Sequence, residues 1–264
     1  MDISPALQRI DQAAKNLASR LPKIPWVAYM SWRNLFFSSW PVPVDAIRAK
    51  VDARLELDTF DGSAWVTIVA MQATDVHFRG VAPIRGMDSF RELNLRSYVR
   101  VNGKPGVVFL SVECAAAVVD WMSANLFHYP YLRARVVGME HDCCFRLATE
   151  RIQADKPAAV FWACFRPFGE AHAPAPGSLE FFLLERYSSF FIKDGAVHRA
   201  DILHPEWLVQ KAEAQIEVNT IPSAAGLELS QSPFHTAFVA RTDTFVWLPV
   251  PERLENRASK ESAR

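Results

Sequence analysis

The sequence predicts a single, mainly β domain of the α+β class, in which antiparallel strands form a closed or nearly closed barrel-like sheet with a few packed helices. Many short segments rich in strand-forming residues alternate with turn signals, and few segments show helical spacing. Hydrophobic residues make up 50% of the 264 residues, which is enough to build a sizeable core. We find no internal repeat and no break in composition that would mark a second large domain.

The two ends of the chain are expected to differ from the middle. Leucine, isoleucine and alanine recur at helical spacing over residues 4–21, and Pro22 and Pro25 would end that helix. Residues 1–25 are therefore predicted to form a helical extension, residues 26–250 the main domain, and the polar residues 251–264 a flexible tail.

The middle of the chain is read as strands interrupted by three short helices. The helices are predicted at residues 43–50, 115–127 and 179–185, with Ser178 as the N-cap of the last, and a loop is predicted at 167–178. Asn102-Gly103 is a strong hairpin signal. Strands are predicted at residues 54–57, 64–76, 91–101, 107–112, 132–139, 144–148, 158–165, 187–192, 197–203 and 236–247.

Charge and composition exclude several classes of function. The chain has 29 basic and 29 acidic residues, whereas a protein that binds nucleic acid electrostatically carries a basic excess. Neither a secretory start nor an apolar run long enough to span a bilayer is present, so we expect a cytoplasmic protein without a membrane partner. The sequence leaves a homo-oligomer open.

No motif indicates a metal or a cofactor. The run His141-Asp142-Cys143-Cys144 is too compact for its side chains to converge on one ion, so we interpret it as a strand end with two packed thiols. The four cysteines do not resemble a disulfide framework. Phosphate-binding loops, dinucleotide-binding glycine patterns and nucleophile elbows are not found, so we expect no cofactor.

One predicted strand carries a row of hydrogen-bonding side chains. Alternate residues of a strand point to opposite faces, so one face is apolar, with Leu93, Leu95 and Val99 among its residues. The row is either the solvated face of an ordinary strand or the wall of a polar cavity, and composition alone does not decide. It consists of Glu92, Asn94, Arg96, Tyr98 and Arg100.

The row lies in a segment that resembles a known family. Residues 90–100 (FRELNLRSYVR) and 103–107 (GKPGV), with 55–62 (LELDTFDG) before them and 184–187 (LERY) after them, resemble domain-of-unknown-function family 2071, a bacterial family of uncharacterised proteins. The resemblance runs from about Trp32 to Trp247. That family is similar in turn to the acetoacetate decarboxylase superfamily, which implies a barrel-like sheet around a buried small-molecule cavity.

The resemblance also implies that one part of the decarboxylase chemistry is missing. Those enzymes form a Schiff base through a lysine in a Phe/Tyr-Pro-Lys-Lys-Leu motif, and that lysine is an established example of an amine activated by an adjacent cation. The matching stretch here is Tyr129-Pro130-Tyr131-Leu132-Arg133. Neither Tyr131 nor Leu132 has a primary amine, and the guanidinium of Arg133 stays protonated.

Other polar positions match the decarboxylase pattern. The decarboxylases carry an arginine near their start, fifteen residues before an Ala-Leu-Arg element, and a glutamate in the cavity on a central strand. Here Arg33 lies fifteen residues before Arg48, which ends the element Ala-Ile-Arg, and Glu92 matches the position of that glutamate. The resemblance therefore implies a cavity that binds a small polar or anionic metabolite, with Glu92 as a catalytic acid or base. If the protein is an enzyme, proton transfer next to a carbonyl, hydration or dehydration fits these groups, and a non-catalytic sensor or scaffold is the alternative. The ligand-binding residues we predict are Arg33, Asn94, Arg96, Tyr98, Tyr131 and Arg133.

Overall fold

The structure is a computed structural model that describes residues 23–82, 88–115, 117–120, 129–141 and 144–254. The helix predicted at residues 4–21 and most of the predicted tail lie outside these ranges. Within these ranges the chain forms thirteen strands, three short helices and a helical segment at residues 117–120. No helix in these ranges is long and apolar enough to cross a membrane.

The strands account for most of the ordered backbone. Asn102 and Gly103 both take positive φ values, +50° and +78°, and make the predicted hairpin between the fourth and fifth strands. The strands are β1 (Ala28–Val42), β2 (Glu56–Leu57), β3 (Ala64–Phe78), β4 (Phe90–Val101), β5 (Lys104–Cys114), β6 (Tyr131–His141), β7 (Cys144–Arg151), β8 (Val160–His172), β9 (Ser188–Lys193), β10 (Ala196–Leu203), β11 (Val209–Asn219), β12 (His235–Val246) and β13 (Val250–Pro251).

The helices are short and lie at the ends of strands. They are α1 (Val44–Arg48), α2 (Leu179–Leu184) and α3 (Ile221–Ala224). Ser178 caps α2 as predicted, since its hydroxyl accepts a hydrogen bond from the backbone N–H of Phe181 at 3.1 Å. Of the helix predicted at residues 115–127, residues 117–120 are helical and 121–128 lie outside the described ranges.

The sheet closes on itself twice. Strands β4, β5, β9, β10, β12, β1 and β3 pair in that order around one ring, which we call the cavity ring. Strands β6, β7, β8 and β11 bridge β5 to β12 by a second route and so complete a second ring, the core ring. Strands β12, β1, β3, β4 and β5 belong to both rings, and the predicted mainly β, ring-like architecture is confirmed.

The shared strands bury both of their faces. On β4, Leu93, Leu95 and Val99 point into the core ring and join the largest apolar cluster, beside Phe161 and Phe165. Glu92 and Asn94, on the other face of β4, are also buried, at 8% and 4% exposure. The alternation predicted from sequence is therefore correct, and both faces of β4 are interior because each serves a different ring.

Several local expectations were wrong. The sequence interpretation missed β1 and β11, and β8 continues through Phe168 to His172 where a loop was expected. Strand β11 reads as polar because its outer side chains are charged while alternate ones, such as Ala212 and Ile216, pack on the core. Cys144 was expected to be a packed free thiol, but it forms a disulfide with Cys164 on the neighbouring strand.

Candidate functional site

The cavity ring encloses a space of about 140 Å³. Its wall is mostly apolar and aromatic, with residues from β1, β3, β4, β5, β9, β10 and β12. A small number of polar side chains project from β4, from β9 and the segment before it, and from the start of β6. A mainly apolar cavity with few, converging polar groups is typical of sites that bind small molecules. The polar residues of the wall are Glu92, Asn94, Arg96, Arg186, Ser188 and Ser189, with Tyr129 and Tyr131.

Glu92 lies on this wall with its carboxyl group removed from water. Burial raises the pKa of Glu92 to about 7 from an ordinary value of 4.5, the hydrogen bond from Asn94 lowers it, and the nearby Glu113 raises it. Glu113 itself points into the core ring, where it forms an ion pair with Arg151. A carboxyl group with a pKa near neutrality can both donate and accept a proton at physiological pH.

Asn94 and Arg96 follow Glu92 on the same face of β4. The side-chain amide of Asn94 donates to Glu92 Oε1 at 3.0 Å, and its carbonyl Oδ1 is buried without a hydrogen-bond partner. Arg96 Nη2 donates to the Leu183 carbonyl at the end of α2, at 2.9 Å, and its Nε is buried without a partner. Unpaired buried polar atoms are rare in proteins, so two of them on neighbouring side chains of one cavity wall suggest a place for a ligand.

A second guanidinium in the wall is fully engaged. Arg186 forms an ion pair with Asp58 at 2.6 Å and donates through Nε to the Phe182 carbonyl, also at 2.6 Å. Its guanidinium lies over the rings of Phe182 and Tyr98, at 4.3 and 5.1 Å from their centroids. Arg186 therefore secures α2 to the sheet, and its charge is compensated within the protein.

The Glu92 end of the cavity is lined by two tyrosines. The Tyr129 hydroxyl hydrogen bonds to the Ser189 hydroxyl, and the Tyr129 ring packs on Phe109 and Phe191. Burial raises the pKa values of the Tyr129 and Tyr131 phenols, and the Glu92 charge raises them further, so both stay neutral hydrogen-bonding groups. Tyr131, which stands where the resemblance would place a lysine, lines the cavity.

An aromatic cluster forms another part of the wall. The Trp207 ring stacks on that of Trp32, with centroids 6.4 Å apart, and Trp207 Nε1 donates to the Leu184 carbonyl at 2.8 Å. Behind it, burial lowers the pKa of His204 to about 4, so its imidazole is neutral, with Nδ1 donating to the Pro205 carbonyl. Trp32 Nε1 lines this region and is buried without a partner.

Three residues predicted to bind the ligand lie outside the cavity wall. Tyr98 continues the polar face of β4, but its hydroxyl is taken up by Thr67 and by the Leu183 carbonyl under α2. Arg33 faces away from the cavity and donates to Thr74 at 3.1 Å, and Arg133 is exposed and paired with Asp120. Strand alternation explains Arg33, because its neighbour Trp32 occupies the inward position.

Arg100, the last member of the row, is also outside the cavity. It forms a 3.0 Å ion pair with Asp58, the same carboxylate that holds Arg186. The structure therefore brings together Glu92, Asn94, Arg96 and Tyr131 from the predicted set. Trp32, Arg186, Ser189 and Trp207 were missed, since they come from distant strands and loops and carry no local motif.

Among the described ranges, no group of three or more histidine, cysteine, aspartate or glutamate side chains is arranged to hold a metal ion. The side chains of the His141–Cys143 region lie outside those ranges.

A twice-closed, mainly antiparallel sheet with a buried cavity in one ring places the protein in the acetoacetate decarboxylase-like fold class. The chain belongs to domain-of-unknown-function family 2071, whose model, described as an uncharacterized conserved protein, matches residues 29–242. It is 34% identical over 233 residues to the uncharacterized protein YqjF of Bacillus subtilis, which covers 88% of this chain and 95% of that protein.

Solved structures share the fold at low sequence identity. The acetoacetate decarboxylase of Legionella pneumophila matches with a TM-score of 0.59 at 13% identity, covering 89% of this chain and 90% of that one. The enduracididine biosynthesis enzyme MppR, in complex with the condensation product of pyruvate and imidazole 4-carboxaldehyde, matches with a TM-score of 0.61 at 11% identity, covering 86% and 90%. An acetoacetate decarboxylase-like enzyme from Sphingomonas wittichii matches with a TM-score of 0.58 at 11% identity, covering 88% and 95%.

Proposed function

We propose that this protein binds a small polar or anionic metabolite in the cavity ring, with Glu92 as the group that exchanges a proton with it. The supporting observation is the Glu92 carboxyl on the cavity wall, whose pKa burial raises to about 7. Arg96 on the same face supplies positive charge. The cavity of about 140 Å³ suits a compound of roughly six non-hydrogen atoms, since an engineered protein cavity of similar size binds benzene.

The reaction that fits these groups is proton transfer at a carbon next to a carbonyl, or the addition or loss of water. Both need an acid–base group and a group that stabilises developing negative charge, here Glu92 and Arg96. Among the described residues that line the cavity there is no lysine. Schiff-base decarboxylation, which requires a primary amine, is therefore not the chemistry we propose.

A non-catalytic ligand sensor or scaffold is the second candidate. The observation that favours it is the same lack of an amine among the described cavity residues, because binding needs only the pocket. The two candidates share the ligand site and differ in whether Glu92 moves a proton.

Binding is tested by thermal melting of the purified protein with a panel of three- to six-carbon carbonyl compounds and carboxylates. We expect at least one compound to raise the melting temperature, and the Glu92→Gln variant to alter its affinity. If no compound of the panel shifts the melting temperature or binds in calorimetry, the cavity-binding proposal is wrong.

Turnover is tested with a binding compound in heavy water. An enzyme of the proposed type exchanges the hydrogen next to the carbonyl for deuterium, which proton NMR detects, and Glu92→Gln should lower that rate by about 10²-fold or more. Binding without exchange, hydration or dehydration in the wild type would instead support the sensor or scaffold.

A further inference from the structure

The polar atoms of the cavity wall that have no partner define the chemistry of the ligand. Two are hydrogen-bond donors, Arg96 Nε and Trp32 Nε1, and one is an acceptor, Asn94 Oδ1. All three belong to side chains that line the cavity, and Asn94 is only 4% exposed. Buried polar atoms are nearly always paired in folded proteins, so these three are expected to pair with a ligand.

The charge of Arg96 is the first constraint on the chemistry of the ligand. No carboxylate in the described part of the chain lies within ion-pair distance of Arg96, which donates to the Leu183 carbonyl and lies against the faces of Phe37 and Tyr98. Its charge also lowers the pKa values of Arg186 and His204. Arg186, by contrast, has Asp58 at 2.6 Å. A half-buried guanidinium without a counter-ion binds an anion well, because a charge-assisted hydrogen bond is about twice as strong as a neutral one.

The orientation of Asn94 is the second constraint. Its amide nitrogen is held by Glu92 Oε1, an oxygen that accepts whether or not the carboxyl group is protonated. Oδ1 is therefore the atom left for the ligand, and it can only accept. Since Asn94 and Arg96 are two positions apart, with only Leu95 between them, and share one face of β4, a single small molecule can reach both.

We infer that the Asn94–Arg96 face of the cavity recognises a short-chain hydroxycarboxylate, whose carboxylate is bound by Arg96 and whose hydroxyl group donates to Asn94 Oδ1. The inference rests on the proposed function, because it assigns the ligand of the same cavity. Apolar side chains elsewhere on the cavity wall, such as Leu35, Ile202 and Val69, the partner of Asn94 on β3, would contact the hydrocarbon part. A keto acid of the same length lacks the donor and would leave Asn94 Oδ1 unpaired.

The test compares four compounds of similar size by calorimetry at one pH, namely butyrate, 2-oxobutyrate, 2-hydroxybutyrate and 3-hydroxybutyrate. We expect one of the hydroxy acids to bind about fivefold or more tightly than butyrate and 2-oxobutyrate, which is the effect of one neutral hydrogen bond. Asn94→Leu, which keeps the number of side-chain heavy atoms and the branch at Cγ, should remove that preference. Arg96→Gln should weaken all four acids by about tenfold or more.

Arg33→Gln is the matched control, because Arg33 lies on the same sheet outside the cavity and should leave all four affinities unchanged. Folding of each variant is checked by circular dichroism, and if Arg96→Gln is unfolded the Asn94→Leu comparison still decides the hydroxyl preference. Hydroxy acids that bind no better than butyrate overturn the inference. If neutral butan-2-one or butan-2-ol binds and none of the acids does, the hydroxycarboxylate inference is wrong, but the proposed function of the cavity still stands. If none of these compounds and no member of the wider panel binds, both the inference and the proposed function are wrong.

Discussion

Glu92 is 8% exposed on the wall of the cavity, where its carboxyl group lies beside the amide of Asn94. Its alternation with Leu93 and Leu95 predicts that it shares a face with Asn94 and Arg96, and the structure has that arrangement. Whether that face is exposed to solvent or buried depends on the other strands of the cavity ring, several of which are distant from β4 in the sequence. The pKa of about 7 is a consequence of that closure and could not be predicted from the residues around Glu92.

The raised pKa of Glu92 predicts a pH-dependent stability. The folded protein binds this proton more tightly than the unfolded chain, so the contribution is complete below pH 4.5 and is lost as the pH rises through about 7. Above pH 7 the wild type holds a buried carboxylate, and Glu92→Gln removes it. We expect the variant to gain up to about 3 kcal/mol relative to wild type between pH 5 and pH 8.5, in urea unfolding.

Glu150→Gln is the control for that measurement, since Glu150 is exposed and paired with Arg135 on the outer surface. It should change stability by about 0.5 kcal/mol or less at both pH values. A Glu92→Gln difference that stays constant from pH 5 to pH 8.5 would show that the Glu92 carboxyl ionises in the folded protein as it does in the unfolded chain.

Among the helices, strands and turns, the ones predicted correctly are those that short stretches of sequence specify strongly. The hairpin at Asn102-Gly103 and the Ser178 cap of α2 rest on side-chain and backbone chemistry within a few residues, and both are confirmed. Strand β1 was missed although it is fifteen residues long. Its interior has a positive-φ residue, Asn34, where the β1–β3 register shifts, and this irregularity breaks the alternation that marks a strand.

Gly106 allows strands β5 and β9 to approach closely enough to close the cavity ring. Strand β5 meets β9 in a short parallel contact, Val107 with Ser189, and a Cβ atom on Gly106 would lie 2.6 Å from both the Phe190 ring and the Ser188 carbonyl. Phe190 is fully buried and the carbonyl belongs to the backbone, so neither can move away cheaply. We expect Gly106→Ala to cost about 1–3 kcal/mol in urea unfolding and to weaken ligand binding.

Gly138→Ala is the matched control on β6. A Cβ atom there would lie 3.0 Å from the side chain of Arg91, which is flexible and can shift, and 3.7 Å from Leu147 Cδ1, which is an ordinary van der Waals contact. That variant should unfold within about 0.5 kcal/mol of wild type. Equal stability of the two alanine variants would contradict the role we assign to Gly106.

At the scale of the whole molecule, the two rings differ in what fills them. The core ring is lined mainly by apolar side chains, several of which also border a pocket of about 180 Å³. It holds the buried ion pair between Glu113 on β5 and Arg151 on β7, whose side chains are 0% and 2% exposed. The mainly β class was predictable from the many short strands. The double closure was not, because it depends on which of thirteen strands pair, and pairing between distant strands leaves little trace in a single sequence.

The Glu113–Arg151 pair makes a prediction about the core ring. Glu113→Gln leaves Arg151 buried without a counter-ion, which should cost about 3–5 kcal/mol in urea unfolding. Replacing both residues, as Glu113→Leu with Arg151→Met, removes both buried charges and should recover most of that loss. A double variant as unstable as the single one would mean that the pair does more than compensate its own charges.

Because β4 belongs to both rings, it separates the cavity on one side from the apolar core on the other. A ligand that stabilises the Asn94–Arg96 face would also restrain Leu93 and Leu95, whose side chains reach the opposite interior. Slower amide hydrogen exchange along β4 and its partner β3 would then report occupancy from residues that never touch the ligand. For the same reason, a substitution in the core ring can alter the cavity, because only the strand β4 lies between them.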